Sequence, residues 1–324
     1  QNPHMRHLVF GFVALVVLSA PLAQGVGPAD EARITLRQEV LRVINSDREA
    51  NGLAPVELDI EASAIADSYC RNQIVNGTTG HFTTDGYAPY MRYSFAGGND
   101  GVSENAAAWS ANYRFTDRAV YQMARRSEEA MMGESAPHDG HRRTILDPSA
   151  THVGIGLAWD KGEFRMTQEF IRRYVTWSRP LPRSASADEP VTGSAHPADG
   201  YRVEAISVHH ESIPETMPAR IASSITSYSL PQKRRDYLPR LPSFANKRID
   251  GTIHLVREEY TDGSHGDFKV AQDGGFTFDV PLHDGPGVYT VVVWVAKKND
   301  RSPIAASNIS IRVDKPADSY AGTR

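Results

Sequence analysis

The chain has 324 residues, enough for about two domains at ~150 residues each. Lys and Arg number 35 against 39 Asp and Glu, a formal charge of −4, which excludes nucleic-acid binding through bulk positive charge. A 40% hydrophobic content excludes a wholly disordered chain, and a single cysteine, Cys70, excludes an intramolecular disulfide and any Cys-rich zinc or iron–sulfur site.

The amino terminus reads as an export signal. Arg6 and His7 precede an uncharged apolar run from Leu8 to Leu18, and small residues follow at Ser19, Ala20, Ala23 and Gly25. That order describes a signal peptide over 1–25. As a helix the run rises only ~16 Å, short of a ~30 Å hydrocarbon core. The expected product is secreted, extracellular or periplasmic, with no membrane span in the mature chain.

Residues 30–53 carry a helical period, with Leu36, Val40, Val43 and Ile44 on one side and Asn51-Gly52 as the stop. Asp59 caps a second predicted helix that ends near Asn76-Gly77. Cys70 falls inside its apolar pattern and reads as a small buried residue. A long loop rich in Gly, Thr and Asp runs to about 103. A third helix is predicted over 116–132. Then the period changes: 151–159 and 164–170 read as strands joined by the turn Asp160-Lys161-Gly162-Glu163. These elements make a first domain over 30–178.

Residues 179–200, rich in Pro, Ser and Ala, read as a linker. From 201 to 315 the helical period is gone. Strand-like runs at 203–208, 249–256, 268–270, 276–280, 289–295 and 309–313 alternate with Gly-rich turns, the pattern of an immunoglobulin-like β-sandwich. Val291 to Val295 is apolar on both faces, as in a central strand. Residues 316–324 read as a tail.

No P-loop, no H-E-x-x-H and no G-x-S-x-G is present. Gly154-Ile155-Gly156 opens no helix, so it is not a dinucleotide fingerprint. His81, Glu104 and His141 stand out, each in a Gly- or Asn-flanked stretch read as a turn, with Glu128, Glu129 and Glu134 just before the last. Loops of this kind carry function more often than cores do. Other features read as structural: His138 as a surface turn residue, Tyr87, Tyr90, Tyr93 and Phe95 as loop packing, Lys233-Arg234-Arg235 as a solvated run. His209-His210-Glu211 has no evident partner in the sequence. Asn76-Gly77-Thr78 and Asn308-Ile309-Ser310 fit a glycosylation sequon.

Several short motifs occur in one order: Asn45-Ser46-Asp47-Arg48, Asn51-Gly52-Leu53, His81-Phe82, Asp85-Gly86, Arg92-Tyr93, Glu104-Asn105-Ala106-Ala107, Gly140-His141-Arg142 and Thr151 to Gly156. Through them residues 37–173 resemble the CAP superfamily (cysteine-rich secretory, antigen 5 and pathogenesis-related proteins; the SCP domain), in its bacterial, cysteine-poor secreted branch. The resemblance implies an α+β fold, a CAP-type α-β-α sandwich followed here by the β-sandwich. It implies one cleft holding His81, Glu104, Glu134 and His141. Glu134 fits the second glutamate by spacing, without the family's preceding tryptophan; Glu128 and Glu129 stay open as alternatives.

Such a cleft supports several chemistries. His81 and His141 can ligate zinc or another divalent cation, with a carboxylate orienting each ring. Ion-bound water would make it a metal-dependent hydrolase of peptide or cell-wall substrate, with Glu104 and Glu134 as the catalytic candidates. A carboxylate beside each imidazole makes an acid–base pair. The same groups can also merely brace the loops. The family is known mostly for binding and signalling, and some members carry lipids or sterols. The expectation is therefore a binding module, more a binder than an enzyme, for an extracellular lipid, cell-wall polymer or protein, joined to a presentation or adhesion domain.

Overall fold

The computed structural model describes residues 28–187, 189–300 and 302–314. The predicted signal peptide (1–25) and tail (316–324) lie outside the described residues. No helix among these residues is long and apolar enough to cross a membrane.

The first unit contains, in order, α1 (Pro28–Ala50), β1 (Glu57–Leu58), α2 (Ile60–Asn76), α3 (Pro89–Phe95), β2 (Gly101–Ser110), α4 (Asp117–Met132), α5 (Gly140–Ile145), β3 (His152–Asp160) and β4 (Glu163–Arg172). Asp59 caps α2 by accepting from the Ala62 amide, and Gly77, at φ +64°, ends it in the left-handed region. The sheet order is β1-β3-β4-β2, so β2 is an edge strand. β1 runs parallel to β3, and the β3–β4 and β4–β2 pairs are antiparallel.

Side-chain alternation along β3 sorts the layers. Val153, Ile155 and Leu157 join Leu36, Val40 and Ile44 of α1 and Val120, Met123 and Met131 of α4 in one core. Gly154 and Gly156 face α2. A Cβ at Gly154 would lie 2.5 Å from the Ala62 Cβ, and one at Gly156 2.3 Å from the Ala66 carbonyl carbon. The glycine pair therefore seats a helix against a strand and has no part in phosphate binding. Cys70 lies in the same interface, buried, its thiol 3.3 Å from the Thr167 hydroxyl and pushed up to about 12 by burial. Helices on both faces of one sheet make an α-β-α sandwich, the arrangement that the resemblance implied.

The second unit contains β5 (Val175–Arg179), β6 (Ser184–Ala185), β7 (Val191–Pro197), β8 (Tyr201–Glu211), α6 (Ala219–Ala222), β9 (Arg234–Tyr237), β10 (Phe244–Ile249), β11 (Thr252–Arg257), β12 (Lys269–Val270), β13 (Phe276–Val280), β14 (Gly287–Lys297) and β15 (Ile304–Val313). Two sheets, β12-β13-β7-β5 and β6-β15-β14-β8-β9, share one core that includes Ala195, Phe276, Phe278 and Val280 from the first and Ile206, Val291, Val293 and Ile311 from the second. β10 and β11 form a separate hairpin. As expected for an apolar run, β14 lies in the interior of its sheet.

Several expectations need correction. The linker over 179–200 contains β6 and β7, and β7 pairs on both sides, with β13 and β5. Its small residues have a packing reason: a Cβ at Gly193 would meet the Phe278 ring at 2.9 Å. Since β5 pairs with β7, the first unit ends near 173 rather than 178. The single strand read over 249–256 is the second half of a hairpin, turned at Asp250 (φ +51°) and Gly251 (φ +83°). The loop read up to 103 includes α3 and the start of β2.

The two units are joined by more than the chain. Ala88, Tyr90, Met91, Tyr93, Val102 and Ile171 of the first pack with Val288 of the second, and Ile213, Tyr228 and Leu230 lie against them. The Val102 amide donates to Asn308 Oδ1 (2.8 Å), and Arg172 Nε to the Ala305 carbonyl (3.0 Å).

Candidate functional site

The site is built around the edge strand β2. Neighbouring residues on a strand point to opposite faces, and Glu104 and Asn105 divide in this way. Glu104 is opposite Glu169 of β4, and Asn105 opposite Gln168. Glu169 is in turn opposite Gly154, which places the two glutamates on the α2 face. Only His81 of the three central residues lies in a turn. Glu104 is in a strand and His141 is in the first turn of α5, which corrects the loop assignment for both.

On the α2 face the Glu104 side chain is fully buried and has two cationic or potentially cationic partners. His81 Nδ1 lies 2.9 Å from Oε1, and the Arg92 guanidinium pairs with Oε2. A carboxylate only accepts, so the Nδ1 nitrogen carries the hydrogen and Nε2 is left as the outward nitrogen of His81. Arg92 also donates to the backbone carbonyls of His81 (2.7 Å) and Tyr87 (3.1 Å), and lies over the Tyr69 ring at 3.5 Å. The Arg92-Tyr93 motif thus holds the His81 turn in place. Burial acts to raise the Glu104 carboxyl, but Arg92 and His81 outweigh it and hold it below its ordinary value. Glu169 goes the other way: burial and the adjacent Glu104 charge push its carboxyl well above its ordinary value.

Beyond the other side of β2, His141 Nδ1 lies 2.5 Å from Glu134 Oε1, and the His141 amide donates to Glu134 Oε2 at 2.9 Å. Burial acts to raise Glu134, but these bonds outweigh it and hold the carboxyl below its ordinary value. Asn105 Nδ2 donates to the His141 carbonyl (3.1 Å). Arg48, fully buried at the end of α1, donates to the Ile145 (2.6 Å) and Asp147 (3.0 Å) carbonyls, which fixes the far end of α5. The Asn45-Ser46-Asp47-Arg48 motif therefore positions α5, the helix that carries His141.

Of the three glutamates considered for the second histidine, Glu134 is the one that reaches it. Glu128 is buried, bonded to Gln168 through Oε2, with Oε1 unpartnered; burial pushes its carboxyl to about 7. Glu129 is exposed and pairs with Arg125. The two histidine rings face one another, centroids 6.3 Å apart and planes 29° apart. His138 is exposed, and His209 donates from Nδ1 to the Pro231 carbonyl (2.7 Å). Neither joins the cleft.

Sequence reasoning gave no role to Glu169, Arg92 or Tyr228. Glu169 stands in its strand beside Arg165, Thr167 and Gln168, so one more polar residue gave no distinct signal. Tyr228, from the second unit, had no signal: its hydroxyl accepts from the Glu104 amide at 2.5 Å, and its ring meets His81 edge-on at 4.9 Å.

For a divalent cation the fit is partial. Each histidine has its Nδ1 held by a carboxylate, the usual support for a metal-binding imidazole, and an Nε2 left over. Among the described residues no group of three or more His, Cys, Asp and Glu stands at ligand spacing. The residues fit an ion held by two imidazoles and completed by solvent or ligand, and not a closed four-ligand site.

Residues 41–170 match the profile of CAP, the Cysteine-rich secretory protein family. No curated protein matches the chain. Among solved structures, an extracellular protein containing a SCP domain from Bacillus anthracis str. Ames is similar at 21% identity and a TM-score of 0.32, over 48% of this chain and 45% of that one. The chain thus spans under half of that protein's length. The profile begins within α1 and ends within β4, so the match to the CAP family covers the sheet and both histidine–glutamate pairs of the first unit.

Proposed function

We propose that the CAP unit is an exported binding module whose cleft holds a divalent cation such as zinc, or a small polar ligand, between His81 and His141. The observation that carries this reading is the pair of imidazoles 6.3 Å apart, each oriented by its own glutamate. A purely structural brace needs no second histidine at that distance with its Nε2 unengaged. Export rests on the basic, apolar and small-residue order of the first 25 residues. The second unit is read as an immunoglobulin-like sandwich that presents the module; its two sheets packed on one core support the sandwich reading. When bound, the ion would polarise a water or ligand oxygen. The protein's own part is to hold two Nε2 lone pairs in fixed directions through Glu104 and Glu134.

Isothermal titration of the purified protein with Zn²⁺ tests this. Binding is expected in the parent protein and absent in His81→Ala and His141→Ala. Glu134→Gln, which frees the ring orientation, is expected to weaken it ~10–100-fold. Zn²⁺ affinity unchanged in both histidine variants would overturn the reading. Hydrolysis of a peptide or cell-wall substrate that disappears with both histidines would extend the function to catalysis.

A further inference from the structure

The segment 212–230, between β8 and β9, leaves the second unit and lies along the first. It is pinned at successive points. The Tyr90 hydroxyl donates to Glu211 (2.8 Å), the Met217 amide to the Thr84 carbonyl (2.8 Å), and the Thr79 amide to the Ser223 hydroxyl (3.1 Å). At Gly86, φ +77°, a Cβ would lie 2.5 Å from the Glu215 carbonyl oxygen, so the approach requires glycine. The segment ends with Tyr228 on the Glu104 amide and the His81 ring. Both of its ends are held in the strands β8 and β9.

The two halves of the cleft differ accordingly. The His81 and Glu104 side chains are 9% and 0% exposed, those of His141 and Glu134 34% and 24%. Tyr228 also lines a cavity of about 300 Å³ together with Phe82, Tyr90, Met91 and Glu211, a lining that includes neither histidine. Tyr228 thus touches both that cavity and the His81 ring. Pinned along its length, the segment is a wall and not a swinging lid.

We propose that Tyr228 is a specificity-determining residue of the cleft: the second unit uses it to close the His81 side, so that only an ion or small polar molecule entering past His141 can reach both imidazoles. An extended chain or an acyl tail would need the space that the ring fills. This rests on the cleft being a binding site, and it deepens that reading by naming the ligand class and the route.

The test is carbethoxylation of the full chain with diethylpyrocarbonate at neutral pH, with peptide mapping to follow each histidine. In the parent protein His141 is expected to react at least about tenfold faster than His81, since a walled-off ring reacts only through local opening. Tyr228→Ala is expected to raise the His81 rate about tenfold or more, while Tyr228→Phe, which keeps the ring, leaves it shielded. Equal His81 and His141 rates in the parent protein overturn the proposal, and that comparison needs no variant to fold. A His81 rate unchanged in a folded Tyr228→Ala protein also overturns it. Zn²⁺ titration of the same samples keeps the two readings apart. Shielding without Zn²⁺ binding removes the cation reading and leaves the wall, whereas binding with equal reactivity removes the wall alone.

Discussion

At the scale of single residues, the buried acids divide into two kinds. Glu104 and Glu134 are held ionised by partners, whereas Glu128 and Glu169 are pushed up by burial, each with one unpartnered oxygen. The consequences for pH have opposite signs. A carboxyl with a lowered native pKa adds stability that is lost as pH falls. Glu128, raised from 4.5 to about 7, holds a proton in the native state that the unfolded chain has released. Its burial therefore costs stability progressively as pH rises from about 4.5 through about 7. Glu128→Gln keeps the acceptor for Gln168 and removes the titration. It is expected to stabilise the protein by up to about 3 kcal/mol at pH 8, with the gain vanishing below pH 4.5. Urea denaturation at both pH values checks this, and an equal effect at both would contradict it. His81, Glu104 and His141 stood out as chemistry-bearing side chains in Gly- or Asn-flanked stretches, whereas Glu134 was reached only through the family resemblance, with Glu128 and Glu129 open beside it. Glu169 was hidden because its partner, Glu104, is 65 residues away in sequence and opposite it only through strand register.

At the scale of elements, the Gly154/Gly156 pair sets how closely α2 approaches β3. Gly156→Ala would put a methyl against Ala66 backbone that has no freedom to swing aside. A loss of about 3 kcal/mol is expected, the upper end for overpacking, measured by thermal or chemical denaturation; a neutral effect would mean that the helix can shift at no cost. The helices α1, α2 and α4 and the β3–β4 hairpin were readable because each buries one stripe or one face and so shows its period. β2 was not. Its centre is Asn105-Ala106-Ala107-Ala108, poor in β-branched residues, and it is a strand because β4 offers it ten residues of register. β7 was missed for a related reason: facing Phe278 and Trp177, it needs Gly193 and has no large apolar residue to announce it.

At the scale of the whole molecule, the two units share a third apolar cluster, and polar side chains of the second cap backbone amides of β2 at Val102 and Glu104. Domains that meet through small polar interfaces move independently, whereas a large apolar contact couples them. Calorimetry of the described units is accordingly expected to show one unfolding transition; two well-separated transitions would mean that the shared cluster contributes little. None of this coupling was visible in the sequence, because it joins Tyr228, Val288 and Asn308 to residues more than a hundred positions earlier.

The buried thiol at the α2–sheet interface bears on the proposed export from the reducing cytoplasm. A protein with an odd cysteine in an oxidising compartment risks covalent dimers and mixed adducts. Held out of solvent and with its ionisation suppressed, Cys70 offers no thiolate to an oxidant or to a second copy while the fold is intact. The hazard is confined to the interval before α2 docks, so rapid closure of that one interface would keep the folded chain free of unwanted cross-links.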